Sequence, residues 1–255
     1  MIPANGCAGS PLVPCTCASH SGEDISARRA RLSRRGFIAT MATGAAAALA
    51  GSAAGLALPA PARAQSTLTP DAALARLMEG NRRYVEGRLT SFDEDLSILK
   101  QKTAAKQEPF AAVLSCADSR VPVEIAFDQS IGHVFVTRVA GNVTTPEITA
   151  SLEFGALVLG AKVIMVLGHS ACGAVKATIE GKPVPGQISV LYAPIRAAVD
   201  EAGADLEAAI KANARHQAGI LSRASPVLAG LVKDNKLKIV AAYYDLATGR
   251  VSLLG

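Results

Sequence analysis

Tryptophan is absent from the 255-residue chain, and only six Phe and four Tyr supply aromatic surface. That scarcity excludes an aromatic stacking platform for nucleic acid and leaves core volume to Val, Leu, Ile and Ala. A charge excess is also missing once charge is counted by region. The formal net charge is +5, but residues 1–64 hold six Arg against one Glu and one Asp. The remaining 191 residues hold twenty basic and nineteen acidic side chains. The basicity therefore reports targeting rather than a polyanion-binding face, and no nucleic-acid partner is expected. Cysteine is scarce. Cys7, Cys15 and Cys17 fall in a stretch with no periodic apolar pattern, expected to be an unstructured tail rather than a metal site, which leaves Cys116 and Cys172. Half of the residues are apolar, enough for one sizeable core.

The basic leader has an order of its own. Ser33-Arg34-Arg35-Gly36-Phe37-Ile38 precedes an uncharged Ala- and Gly-rich run from Ala39 to Leu58, and Ala62-Arg63-Ala64 closes it. Basic region, moderately apolar segment and small-residue cleavage site make an export signal, and the paired arginines resemble the twin-arginine class. A membrane anchor is the alternative, since the run reaches about twenty residues. Its weak hydropathy and its Ala-x-Ala ending favour cleavage after Ala64, a periplasmic or secreted product and no permanent anchor. Residues 65–255 then form one domain. Two cysteines in an exported protein suggest a disulfide, but each lies among other potential ligands, which a structural disulfide does not require.

Thr69-Pro70-Asp71 reads as a helix cap with Pro at the first turn, and the apolar spacing predicts a helix over 70–87. A weaker helix over 92–106 follows, the two forming an arm outside the sheet. Core strands are expected at 110–115, 133–139 and 162–168, with a helix from Thr145-Pro146-Glu147 to about Leu159. A short helix to Glu180, with Ser170 as its cap, and helices over 187–202, 206–222 and 227–234 come next. A strand at 237–244 and a returning strand at 250–254 end the chain. Strands separated by helices imply an α/β fold: a central, mostly parallel sheet flanked by helices, with one antiparallel edge strand and an N-terminal helical arm.

Two of these strands end on chemistry: Ser115-Cys116-Ala117-Asp118-Ser119-Arg120, and Gly168-His169-Ser170-Ala171-Cys172-Gly173-Ala174. Cys116 and Asp118 share a side in an extended segment, and His169 and Cys172 share a face across one turn. Two thiolates and an imidazole suit zinc rather than magnesium or calcium. Singly, a buried Cys, a His after a strand or an Asp-x-Arg pair is commonly structural; together at two strand ends they point to a metal site. The fourth position is open to water or to Asp118. If Arg120 pairs with Asp118, the carboxylate stays off the metal and accepts a proton.

These segments resemble the β-class carbonic anhydrases, over almost all of residues 69–255. The two motifs look like that family's zinc motifs, and Phe135 to Asn142, Ser151 to Phe154 and Tyr244 to Gly249 look like its intervening and closing segments. The resemblance implies one Zn2+ per subunit on Cys116, His169 and Cys172, with Asp118 as alternative fourth ligand and an Asp118–Arg120 catalytic dyad. It implies reversible hydration of CO2 to bicarbonate by zinc-bound hydroxide. Gln107, nine residues before Cys116, matches a substrate-binding Gln of the plant-type branch; Phe135, Phe154 and Gly173 match the pocket, Phe154 replacing a Tyr. A second branch has an inhibitory bicarbonate site built on a Trp, and Val113 stands there, although Arg138 matches another of its residues. His133 replaces an acidic residue and is expected at the surface rather than in proton transfer. A homodimer or tetramer, its pocket shared between chains, is implied, and the apolar stripe of the arm suits wrapping a partner. Hydrolysis of COS or CS2, or a non-catalytic zinc-binding or thiol-redox role, are the rivals.

Overall fold

The computed structural model describes residues 66–91 and 96–255. The leader with its arginine pair, Cys7, Cys15 and Cys17, and the start of the helix expected from Phe92 lie outside the described residues.

Helix α1 spans Pro70–Val85 and α2 spans Leu96–Thr103. The Thr69 side chain accepts from the Ala72 N–H at 3.2 Å, the expected cap. Strand β1 (Ala111–Ser115) leads through a short helix α3 (Val123–Ala126) to β2 (Val134–Arg138). Helix α4 (Pro146–Glu153) is capped by Thr145 and continues as a π-helical turn, Phe154–Val158, before β3 (Val163–His169). Then come α5 (Gly173–Glu180), a 3-10 turn (Ile188–Leu191), α6 (Tyr192–Ala202), α7 (Leu206–Ala224) and α8 (Pro226–Lys233). Strands β4 (Lys238–Tyr244) and β5 (Val251–Leu254) close the fold.

The five strands lie in the order β2-β1-β3-β4-β5, the first four parallel and β5 antiparallel to β4. Strands β1 and β3 are buried along their whole length, so they read as continuous apolar runs and their side chains divide between two faces. Ala111, Val113, Val163, Met165 and Leu167 pack with Ala73 and Leu77 of α1 and Val123 and Ala126 of α3. Ala112, Leu114, Ile164 and Val166 pack with Leu152 of α4, Ala214 and Leu221 of α7 and Leu228 of α8. Each fully buried Leu contributes about 1.5–3 kcal/mol.

The apolar stripe of α1, expected to seek a partner, is taken up by the chain's own core. Gly80 makes that approach possible: a Cβ there would lie 1.8 Å from the Phe127 carbonyl oxygen. Buried Asn81 secures the contact, donating to the Ala126 and Gly249 carbonyls at 2.9 and 2.8 Å and accepting from the Val251 N–H at 2.8 Å. Helix α1 therefore ties both ends of the sheet sequence together before any partner is met.

The chain runs outward from β1 to β2 on one side and from β3 to β4 on the other. The carboxyl ends of β1 and β3 thus flank the point where strand order reverses, the crevice in which open α/β sheets place their ligands.

Candidate metal centre

Parallel pairing sets Ser115 beside Leu167, so Cys116 leaves β1 next to Gly168 and one residue short of His169, the last residue of β3. Cys172 is brought back by a tight turn in which Ala171 holds φ of 55°, a conformation unfavourable for a side-chain-bearing residue. The result is one cluster: the ligand atoms of Cys116, His169 and Cys172 lie within 4.8 Å of one another, all three residues buried. The two cysteines are not bridged. Val143, Val175, Ile195 and Ile210 form the apolar shell around the thiols.

Cys172, not Ser170, occupies the cap position of α5, with no side-chain cap bond. The Ser170 hydroxyl instead accepts from the Leu246 N–H at 2.9 Å, pinning the segment after β4 against the cluster. The Ser170 carbonyl lies 2.9 Å from His169 Nδ1. That contact makes Nδ1 the protonated nitrogen and leaves Nε2 as an acceptor. Nε2 is buried and has no hydrogen-bond partner among the described residues. An orphaned imidazole lone pair facing two thiols is costly unless a cation takes it. The donor set, two sulfurs and one nitrogen, fits zinc in type and number, with one position to spare.

The hydrogen bond from the Cys172 thiol is the largest effect on Cys116, followed against it by burial; the His169 side chain and then the Gly141 and Asp118 N–H groups help bring its pKa down to about 4. The same bond, then burial, holds the Cys172 thiol well above its ordinary range. The opposite directions describe a single proton kept between two sulfurs, with Cys116, the one beside the His169 ring, as the thiolate. Gly141 N lies 3.3 Å from Cys116 Sγ.

Asp118 is engaged by Arg120 in a fork. Arg120 Nε donates to Oδ1 at 3.0 Å and Nη2 to Oδ2 at 2.8 Å, and the Arg120 N–H adds a third bond at 2.9 Å. The guanidinium bonds, more than the modest burial that opposes them, hold the carboxyl well below the usual carboxylate range. Arg120 also reaches the Ala171 carbonyl at 3.4 Å, joining the two motif loops. Asp118 Oδ2 stands 3.9 Å from His169 Nε2, beside the cluster with its lone pairs largely committed to Arg120. Arg138 donates to the Cys116 carbonyl at 3.0 Å and the Asp118 carbonyl at 2.5 Å, so it braces the loop carrying both residues. Sequence reasoning noted Arg138 only as a remnant of another branch's inhibitory site; a bond to a backbone carbonyl leaves no sequence signal.

Of the expected pocket residues, Gly173 lies at the cluster and Gln107, Phe135 and Phe154 do not. Gly173 opens α5 beside Cys172, with open space where a Cβ would stand. Phe135 and Phe154 touch each other, ring centroids 6.5 Å apart. Phe135 pairs with Ala112, four residues before Cys116, about 13 Å back along the strand at ~3.3 Å per residue. Gln107 is exposed and lines a shallow cavity with Thr103 to Lys106 and Leu159. His133 lies just before β2, at the opposite end of the sheet, near Arg76 and against the Phe110 ring. A cavity of about 380 Å3 lined by Arg76, Arg83, Asp128 and His133 belongs to that end and is separate from the cluster.

A family model described as "Carbonic anhydrase" matches residues 111–251. The chain is 35% identical over 195 residues to a carbonic anhydrase of Mycolicibacterium smegmatis, covering 72% of this chain and 93% of that one. It is 34% identical to carbonic anhydrase 2 of Mycobacterium tuberculosis, covering 72% and 92%. Among solved structures, the β-carbonic anhydrase of Coccomyxa in complex with acetazolamide superposes with a TM-score of 0.57 at 28% identity, covering 71% of this chain and 86% of that one.

Proposed function

Since this chain belongs to the β-class carbonic anhydrases, zinc enzymes that interconvert CO2 with bicarbonate and a proton, we propose that Cys116, His169 and Cys172 hold its zinc and that Asp118 and Arg120 are its catalytic pair. The observation that carries the assignment is the orphaned His169 Nε2 facing two unbridged thiols at the sheet's switch point. Zinc with one open position supplies a coordinated water ionised near pH 7, an effect for which carbonic anhydrases are the standard example.

The protein's own contribution is orientation. Arg120 keeps Asp118 ionised, so one carboxylate oxygen beside the cluster accepts a hydrogen bond from the attacking water and aims its remaining lone pair at CO2. A carboxylate held so far below its ordinary range is a weak base, so Asp118 orients the nucleophile rather than storing its proton. The fork on Arg120 also keeps Asp118 from serving as the fourth ligand in this conformation. The apolar shell of Val143, Val175 and Ile195 around the thiols suits a linear, uncharged substrate.

The enzyme works as a homodimer or higher assembly, with part of the pocket supplied across the interface. Strand β2 is an edge of the sheet, and Phe154, which touches Phe135 of that strand, is 46% exposed, as are Ile131 just before the strand (46%) and Leu157 (45%). An unpaired edge flanked by large apolar side chains is a pairing surface. Because Phe135 lies far along the strand from its own chain's cluster, and Gln107 lines a separate shallow cavity, these residues and Phe154 serve the neighbouring chain's site. The position of Gln107 and the absence of Trp support a plant-type reading without the Trp-based inhibitory site.

Residues 65–255 are the catalytic domain, and the Arg34-Arg35 leader directs a folded enzyme to the periplasm, where it is cut after Ala64. No helix among the described residues is long and apolar enough to cross a membrane. Fractionation of cells expressing the chain, with Arg34 and Arg35 both changed to Lys as control, tests export: periplasmic protein beginning at Gln65 supports it, and a wild-type product retained with its leader refutes it. Zinc content of Cys116→Ser, His169→Ala and Cys172→Ser tests the ligand set. Stoichiometric zinc in any of the three would remove that residue from it.

A further inference from the structure

Helix α7 carries two fully buried amides one turn apart, Asn213 and Gln217, on an Ala-rich face where Leu would pack at no polar cost. Neither was singled out by any motif. Gln217 Oε1 accepts from the Thr144 N–H at 2.7 Å, while Nε2 donates to the Pro194 carbonyl at 2.9 Å and to Asn213 Oδ1 at 3.1 Å. Asn213 Nδ2 donates to the Gly141 carbonyl at 2.8 Å. The partners dictate both orientations: one N–H needs an acceptor and two carbonyls need donors, so flipping either amide would set like groups against each other.

The backbone so held is the loop after β2. It runs through Gly141, with φ of 76°, and Asn142, with φ of 44°, two consecutive left-handed residues without a strand ladder to fix them. Asn213 and Gln217 grip its two ends, the Gly141 carbonyl and the Thr144 N–H. Directly before the first of these ends, the Gly141 N–H points at Cys116 Sγ, 3.3 Å away. Oriented backbone N–H groups in turns are anion sites, and a cysteine sulfur that ligates a metal is such an anion.

We propose that Asn213 and Gln217 are positioning residues for the Cys116 thiolate: by clamping the 141–144 loop they hold the Gly141 N–H on the sulfur. This rests on the zinc assignment above. A hydrogen bond to a ligating sulfur withdraws charge from it, and outer partners of this kind alter metal affinity by 10- to 100-fold.

The test compares Asn213→Leu and Gln217→Leu in the full chain with Leu228→Ala, a core truncation in α8 that touches none of this network. Asn213→Asp, which keeps the shape and the acceptor for Gln217 but removes the donor to Gly141, serves if the Leu variants do not fold. Three quantities are read: unfolding of the metal-free protein, zinc affinity by competition with a chromophoric chelator, and the thiolate-to-cobalt charge-transfer band of the Co2+-substituted protein. The network variants are expected to bind zinc about tenfold or more weakly, and to shift the cobalt band to lower energy as the sulfur regains charge. Leu228→Ala, though destabilised, keeps wild-type affinity and band. Network variants that match Leu228→Ala in affinity and leave the band unmoved would reduce Asn213 and Gln217 to loop packing and overturn the inference. A wild-type chain that takes up no zinc and shows no thiolate band would defeat the zinc assignment itself.

Discussion

Gly141→Ala probes the link between backbone conformation and the metal site. Two costs are separable in advance. The first is conformational: at φ of 76° an added side chain meets the left-handed penalty, about 1–2 kcal/mol. The second is steric. The new Cβ would lie 2.8 Å from Ile195 Cδ1 and 3.2 Å from Ala174 Cβ. Ile195 is fully buried, so its terminal methyl has little room to swing aside, and overpacking of this size costs about 1–3 kcal/mol. The sum is about 2–5 kcal/mol in chemical denaturation of the metal-free protein. Ile195→Val deletes the clashing methyl and by itself costs about 0.5–1.5 kcal/mol. In that background Gly141→Ala should lose much of its steric part and keep its conformational part, so the cycle gives a favourable coupling of about 1 kcal/mol. Either way the Gly141 N–H shifts relative to Cys116 Sγ, and zinc affinity should fall about tenfold. Strictly additive stability losses would refute the clash, and unchanged zinc affinity would refute the role of the N–H.

Asp118→Asn should retain zinc yet lower the CO2 hydration rate about 10²-fold, the cost of misplacing a reacting group; stopped-flow rates near wild type would remove Asp118 from the reaction. Arg120→Gln should let the Asp118 carboxyl rise toward the ordinary value of about 4. In the wild type the depressed pKa keeps Asp118 charged through and below that value, and its pairing contributes stability above the unfolded pKa that is lost only as pH falls through the folded one. Carboxyl-carbon NMR titration reads the difference, and an Asp118 signal that moves at the same pH in both proteins would contradict the fork. Phe154→Asp should shift the assembly toward monomer in light scattering and lower activity together with it, while zinc stays bound. A fully active monomer would show that each chain completes its own pocket.

The parallel sheet and both motif loops were legible because their signals are carried by residue type: uninterrupted apolar runs bounded by Gly and Pro, and soft ligands where those runs stop. The caps at Thr69 and Thr145 were legible for the same reason. What escaped depends on backbone groups that any residue possesses. Ser170 has the chemistry of a helix cap, but its hydroxyl accepts from the Leu246 N–H, brought in from seventy-six residues away. The α1 stripe shows that a surface must be covered, not which one, and Gly80 lets the chain cover it itself. Asn213 and Gln217 sit at helical spacing among alanines and look like a solvated face until the 141–144 loop is laid beside them. The π turn after α4 likewise follows from packing rather than from Phe154–Val158 as a string. Gln107, Phe135 and Phe154 enter the reading only through the family pattern, because within one chain they do not converge on the cluster.

Stopped-flow hydration of CO2 by the full chain, zinc-loaded and after chelation, with His169→Ala alongside, tests the central claim most directly. A zinc-dependent rate far above background that chelation abolishes, zinc restores and His169→Ala lacks is the predicted result. A rate indifferent to zinc, or none above background in the loaded protein, would contradict it.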